Sequence, residues 1–576
     1  MRTTAVRYRR ESQSAVGDRN CRLKVGADAP AGERHAACHQ FDKKGPYSCQ
    51  PSSAVGGGLS NPVSSASTEV SAIAIGGQGH HTENRADNLV GRSFRAMGWS
   101  YSGVAAGVLL QIVASVVFAR VLGARVVGVF AFGLLVFPPF RFLCEFGLGS
   151  ALVQKPKLLD ADVELAFARS LLFGVITAAA WVFSIDGLAG LMHQAEDADT
   201  LRCFALVLLC LPAQTLCTAL LTRRLDQKFL QITSLVSYGV GYVGVGAYGA
   251  LRGWGVWSLI LGFLFQNTIA TAMLVAHTRL SLRGRFSGDA SDLWRFGSRI
   301  TAINISNWLT SSLDNLAVAW FFGTRPLGLY SVAYGLVRAP ADRIVTTLQN
   351  VLFPASVLAR KDPERLAKGC IAMIDGTFLL VAPAFCSVAM LAPTIVEALY
   401  GQAWLAVAPL LLPLALSMIF HCLTVVTGAL LWGSGGVGRD LRIQWSSVLL
   451  FVVGVALAGR YSLVAIAWVV LPVTMLRAGW GLVALIKTVR MAPRRVRRGF
   501  LGGTLLTAVI VPMLLALDLS LRASFASPLA RISAEAIGGL LLWCGLGIVL
   551  RERIPSPELR SGLRSLQAAL RRTDHA

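Results

Sequence analysis

Residues 203–228 read CFALVLLCLPAQTLCTALLTRRLDQK. No charge interrupts 203–221, and then Arg223, Arg224 and Lys228 arrive together. A helix needs about 20 predominantly apolar residues to cross the hydrocarbon of a bilayer. Backbone polar groups find no water there, so a crossing segment is either a helix or part of a closed barrel. The apolar residues here are continuous rather than alternating, which favours a helix.

The same unit, an apolar run closed by basic residues, recurs on both sides of this stretch. It predicts an all-α polytopic membrane protein of about fourteen transmembrane helices: 97–119, 126–152, 164–185, 201–222, 230–251, 254–277, 295–322, 327–358, 370–394, 404–432, 441–459, 461–486, 500–518 and 533–550. Basic residues gather after every second helix, at Lys155 and Lys157, at Arg279, Arg283 and Arg285, at Arg360, Lys361, Arg365 and Lys368, and from Lys487 to Arg498. The intervening gaps are poor in positive charge, and the one after the third helix holds Asp186, Glu196, Asp197 and Asp199 instead. Because positively charged loops stay on the cytoplasmic side, both termini are expected in the cytoplasm and the chain in the cell's inner (plasma) membrane.

Composition agrees. The 576 residues are 54% hydrophobic and 15% charged, against roughly 25% charged in a soluble domain. The net charge of +23 lies in loops and in the tail, where it sets topology, so nucleic acid is not an expected partner. Cys203, Cys210 and Cys217 fall on one helix face, which cannot surround a metal. Residues 1–90 are polar, carry no run of spanning length, and read as a disordered extension or as sequence ahead of a native start near Asn88. No cofactor is expected.

An internal repeat organises the helices. FARVLGARVVGVFAFGL at 118–134 matches VAWFFGTRPLGLYSVAY at 318–334: Ala119 with Ala319, Gly123 with Gly323, Arg125 with Arg325, Gly128 with Gly328. Six helices separate the copies, so both have the same orientation, as in transporters built from two lobes related by an axis along the membrane normal. The expected partition is an N-lobe at 95–286, a C-lobe at 291–487, two extra helices at 499–551 and a basic tail at 552–576.

Polar residues inside the apolar runs mark the candidate site, because a charge at the bilayer centre costs roughly 2.5–3.5 kcal/mol and normally faces a cavity or a partner. The seventh helix carries Asn304, Asn307, Ser311 and Asp314 on one face. The eighth carries Tyr330, Tyr334, Arg338 and Asp342 at successive i,i+4 steps, with Arg343 beside them. The second carries Arg141 and Glu145 after Pro138-Pro139, a pair expected to kink it. His193, His277 and His421 stand alone along the sequence. No GxxxxGK[ST], HExxH or GxSxG motif occurs, and no long loop offers a catalytic domain. Transport fits better than catalysis.

Four stretches carry a family resemblance: VFARVLGARVVGVFAFG, CEFGLGSALVQKP, LDNLAVAWFFGTRPLGLYSVAYGLVRAPADRI and LYGQAWLAVAPLLLPLAL. They resemble the Wzx-like polysaccharide flippases of the multidrug/oligosaccharidyl-lipid/polysaccharide exporter superfamily. The resemblance implies two six-helix lobes around a cavity, and flipping of an undecaprenyl-diphosphate-linked oligosaccharide from the cytoplasmic to the periplasmic leaflet by alternating access. It implies work alongside the lipid bilayer and, as candidate partners, a polysaccharide polymerase and a chain-length regulator. Guanidinium forks bind phosphate bidentately, so Arg141, Arg338 and Arg343 are expected to hold the diphosphate. Asn304 and Asn307 belong to the same expected binding surface, and Tyr330 and Tyr334 are expected to stack on sugar faces. Asp314 and Glu145 are expected to carry a coupling ion. The alternatives are a multidrug or cation antiporter of the same superfamily, a lipid II flippase, and a membrane-embedded polymerase or ligase.

Overall fold

A computed structural model describes residues 83–155, 158–191, 198–279, 291–358, 362–524 and 527–549. The basic tail and the extension up to residue 82 lie outside these residues. Every element within the described residues is helical. α1 runs Glu83–Glu145, α2 Leu148–Gln154, α3 Asp160–Leu191, α4 Ala198–Arg202 and α5 Phe204–Arg223. α6 (Gln227–Val236) passes through a π-helical segment, Ser237–Val245, into α7 (Gly246–Leu251), and α8 follows at Val256–Thr278. The second half holds α9 (Ser291–Phe322), α10 (Thr324–Leu358), α11 (Pro363–Met390) and α12 (Ala392–Tyr400), then a 3₁₀ segment Gln402–Val407, α13 (Ala408–Gly433), α14 (Val437–Ala458) and α15 (Leu463–Val489). α16 (Pro493–Ser524) and α17 (Pro528–Val549) close the described chain. Helices therefore occupy each interval read from the sequence. Ten of the described segments have the length and apolarity of a bilayer crossing, Ala106–Glu145 being one of them at 40 residues. α9 and α10, which carry the polar candidates, are not among the ten.

Local chemistry sets where helices start. The side chain of Asp226 accepts from the Phe229 amide at 3.2 Å to cap α6. Asp362 accepts from the Glu364 and Arg365 amides ahead of Pro363 at the start of α11, and Ser462 caps α15 through the Ala465 amide. Each cap supplies an acceptor to N–H groups that have no partner in the first helical turn. The two glycines of the repeat do matched work. Gly123 (φ 77°) breaks α1, and Gly323 (φ 78°) turns α9 into α10, a left-handed backbone that glycine adopts without steric cost. The proline pair does not interrupt its helix. α1 leaves helical backbone only at Gly123, and the chain turns after Glu145, at Phe146 and Gly147, both with positive φ.

Helix association in lipid is driven by close packing and interhelical hydrogen bonds rather than by burial from water. The closest packing is between the two repeat copies. α1 and α10 cross so tightly that a Cβ on Gly128 would stand 1.9 Å from the Thr324 carbonyl oxygen, and one on Gly328 would stand 2.0 Å from that of Ala124. The same end of the bundle is tied by Arg120, which donates from Nε to the Leu399 carbonyl (2.7 Å) and from Nη2 to that of Ala398 (2.5 Å). Buried Trp404 adds a bond from its indole to the Ala119 carbonyl at 3.0 Å. At the opposite end Arg223 donates to the carbonyls of Leu152 and Lys155.

The interior of the first half is filled by aromatic rings. Phe130, Phe137, Trp181, Phe204 and Phe263 meet with centroids 5.3–6.1 Å apart. Trp181 is fully buried and satisfies its indole N–H on the Leu201 carbonyl at 2.9 Å. The second half is built differently, and that difference places the site.

Candidate functional site

A cavity of about 580 Å³ opens among α9, α10, α13, α14 and α15. α9 contributes Asn304, Asn307, Thr310, Ser311 and Asp314, one helix face spaced at three and four residues. α10 contributes Tyr334 and Arg338, α13 His421, α14 Gln444 and Ser447, and α15 Thr474 and Arg477. From the first half only Pro138 and Phe142 of α1 reach it.

The polar groups form two connected sets. In the first, buried Asp314 accepts from the Tyr330 hydroxyl at 3.0 Å and from the backbone and side-chain nitrogens of Asn315 at 2.9 and 3.1 Å. In the second, Arg338 donates from Nε to both carboxylate oxygens of Asp342 (2.8 and 2.9 Å) and from Nη1 to the Tyr334 hydroxyl (2.6 Å). His421 Nε2 lies 3.6 Å from Asp342 Oδ1, the oxygen that Arg338 Nε also meets. Tyr330 and Tyr334 stack with centroids 6.1 Å apart and bring the two sets side by side. The i,i+4 spacing of these α10 residues puts them on one helix face. Gln444 donates to Thr310 at 3.3 Å and holds α14 against α9.

Of the sequence candidates, the structure brings Asn304, Asn307, Asp314, Tyr334 and Arg338 to one wall. Tyr330 is at zero exposure behind Asp314, so it offers no face for a sugar to stack on and acts instead as a hydrogen-bond donor to the carboxylate. Arg141 and Glu145 pair with each other at 2.7 Å, with Arg141 half exposed, and neither lines the cavity. Arg343 is exposed and also stands off the wall. Six polar lining residues escaped the sequence reading as site candidates: Thr310, His421, Gln444, Ser447, Thr474 and Arg477. Arg477 had a signal, a lone cation within the apolar run of α15. His421 had none, because its partner Asp342 is 79 residues away on another helix.

The wall is anchored to the first half by Trp308, whose indole donates to the Leu135 carbonyl of α1 at 3.1 Å. Trp308→Phe removes one neutral hydrogen bond, worth about 1 kcal/mol. It should lower the melting temperature of the purified protein by only about 1 °C, because the shift shrinks as the chain grows, without abolishing ligand binding.

Comparison with known proteins follows this geometry. A family model described as polysaccharide biosynthesis protein matches residues 117–409. The lipopolysaccharide biosynthesis protein WzxC of Escherichia coli (strain K12) is 22% identical over 376 residues, 63% of this chain and 75% of that protein. The succinoglycan biosynthesis transport protein ExoT of Rhizobium meliloti (strain 1021) is 26% identical over 358 residues, 62% of this chain and 71% of that one. Among solved structures, the lipid II flippase MurJ in an inward closed conformation superposes with a TM-score of 0.63 at 11% identity, over 80% of this chain and 99% of that one. An inward-facing multidrug transporter of the MOP superfamily superposes with a TM-score of 0.54 at 13% identity, over 67% and 96%. At these identities the structures establish a common fold.

Proposed function

Because the chain belongs to the polysaccharide biosynthesis protein family, we propose that it is a multi-pass membrane transporter rather than an enzyme, and that it flips an undecaprenyl-diphosphate-linked oligosaccharide across the bilayer. The observation that carries this reading is the cavity wall of Arg338 and Arg477 beside Asn304, Asn307 and Tyr334. Two guanidiniums suit a diphosphate. Side-chain amides and a phenol suit the hydroxyls and ring faces of sugars. A cation antiporter calls for a wall in which carboxylates outnumber cations; Asp314 is the one carboxylate among the residues lining this cavity.

In this reading the diphosphate sits between Arg338 and Arg477, and Asp314 carries the coupling ion. Arg141, Arg343 and Glu145 lie outside the cavity wall and serve the cargo, if at all, in another conformation. The chain works in the inner membrane with both termini cytoplasmic, moves cargo toward the periplasm, and delivers it to a polysaccharide polymerase and chain-length regulator. Reconstitution tests the reading. Proteoliposomes loaded with a fluorescent undecaprenyl-diphosphate oligosaccharide should expose most of the inner-leaflet glycan to an external glycosidase within minutes. Protein-dependent exposure no faster than in empty liposomes contradicts it.

A further inference from the structure

We propose that the C-terminal hairpin of α16 and α17 braces one end of the bundle: it fixes α12, and α12 is the strap that ties the two halves together there. The inference holds whatever the cargo is.

α12 is nine residues long and is bonded on two sides. On one side is α1. Arg120 donates to the carbonyls of Ala398 and Leu399 in the last turn of α12, at 2.5 and 2.7 Å. A cation there meets the negative end of the helix dipole and carbonyls that the helix itself leaves unpaired. The Tyr400 hydroxyl lies 3.4 Å from that of Ser115, and the Trp404 indole donates to the Ala119 carbonyl at 3.0 Å. These bonds join the first half to the second at the end that Gly123 and Gly323 mark.

On the other side is the hairpin. Thr394 donates to Asp518 Oδ1 of α16 at 3.1 Å, and Arg531 of α17 donates to Glu397 Oε2 at 3.3 Å. Thr394 and Glu397 are three residues apart, on one helix face. Arg522 holds Asp518 at 2.7 and 3.0 Å, and buried Glu535 faces Asp518, Arg522 and Arg531. Residues 499–550 contain four charged side chains, and all four stand at this joint. Charges in a spanning segment normally face a partner, and here the partners lead to α12.

Elsewhere the hairpin is packed on the second half. Phe500 meets Phe378 of α11 edge to face at 4.9 Å, and a Cβ on Gly503 would stand 2.5 Å from the same ring. Leu506, Ile510 and Leu514 bury against Leu391, the residue that leads into α12. The hairpin therefore travels with the second half. The first half holds α12 through Arg120, and the second half holds it through Thr394 and Glu397. The two sets of bonds are links in series. With the hairpin bonds intact, parting the halves has to break the Arg120 bonds. With them lost, α12 stays on Arg120 and the end opens without that resistance.

The test is pulsed electron paramagnetic resonance on the full-length protein in nanodiscs, with native thiols replaced and spin labels on Leu251→Cys and Tyr461→Cys. Both positions are exposed, and nearby Gly246 and Gly459 pack on Phe118 and Phe321, beside Gly123 and Gly323. The distance between the labels reports opening of this end. Arg120→Gln cuts the first link and should add a population at longer distance. Arg531→Gln and Thr394→Val cut the second, and each should raise the ratio of long to short distances by about tenfold over the wild type. Arg120→Gln combined with either should match Arg120→Gln alone, because a series fails once. Thr394→Val leaves Asp518 on Arg522 and decides the matter if Arg531→Gln fails to fold. Wild-type distances in Arg120→Gln overturn the proposal, as do wild-type distances in the hairpin variants. So does a double variant that opens further than Arg120→Gln, because the hairpin contacts then act independently of the strap.

Discussion

Arg338→Ala is expected to cut export of the surface glycan by roughly a hundredfold while leaving a folded protein in the membrane. A charge-assisted bond to a phosphate is worth about 1.5–3 kcal/mol, and roughly 1.4 kcal/mol is a factor of ten. The loss of a bidentate guanidinium in the cavity wall therefore reaches about two orders of magnitude. Stability should change far less. Arg338's partner Asp342 is 46% exposed, and it also faces His421, so removing the arginine does not strand a buried charge. Arg338→Lys restores the charge without the planar fork and should recover only part of the export. Immunoblotting for surface polysaccharide, with membrane abundance of each variant measured alongside, separates the two effects. A fully exporting Arg338→Ala strain contradicts the headgroup assignment.

Gly128→Leu and Gly328→Leu are expected to prevent closure at the end of the bundle that Gly123 and Gly323 mark. Each Cβ would meet a backbone oxygen at 1.9 or 2.0 Å, where ordinary contact begins near 3.4 Å, so the helices have to part. Backbone atoms cannot swing aside as a flexible side chain can. The cost of overpacking is about 1–3 kcal/mol or more, enough to shift a two-state equilibrium by about fivefold to over a hundredfold. The crossing lies six residues, about 9 Å, from Tyr334 on the cavity wall. A cysteine placed at exposed, cavity-lining Ser311, with native thiols replaced, should then react with an impermeant maleimide added from that side, and export should stop. Unchanged labelling in both variants shows that the crossing does not seal the cavity.

The repeat, the helix intervals and the polar face of α9 were legible because each depends on spacing within one segment. Gly123 and Gly128 could be matched to Gly323 and Gly328 on paper because both glycines and the arginine between them recur in register. Their physical roles, a turn and a crossing, needed the fold. Depth along a helix was legible too, which is why Asp314 and Arg338 were found. The direction a side chain takes around the helix relative to its neighbours was not. Arg141, at i,i+4 from Glu145, looks in sequence much like Arg338 with Asp342, yet Arg141 lies off the wall and Arg338 on it. Tyr330 and Tyr334 are one turn apart, and only the second reaches the cavity, because the first is turned to Asp314. His421 required a partner on a distant helix to acquire meaning. The proline pair stays within helical backbone, and α1 ends where Phe146 and Gly147 take positive φ.

The asymmetry between halves was also hidden. The repeat implies two similar lobes, but aromatic rings fill the first, and nearly all the polar cavity wall comes from residues 304–477. The proposed function accordingly puts the cargo headgroup in the second half, where α1 contributes only Pro138 and Phe142 to the cavity wall.

Photocrosslinking tests that placement most directly. An undecaprenyl-diphosphate oligosaccharide carrying a photoreactive group on its first sugar is bound to the purified protein, irradiated, and the adducts are mapped by mass spectrometry. Adducts concentrated on α9, α10, α14 and α15 around Asn307, Tyr334 and Arg477 are the predicted result. Adducts confined to the aromatic-filled first half, or to the apolar cleft lined by Met513, Leu517 and Leu541, would contradict it.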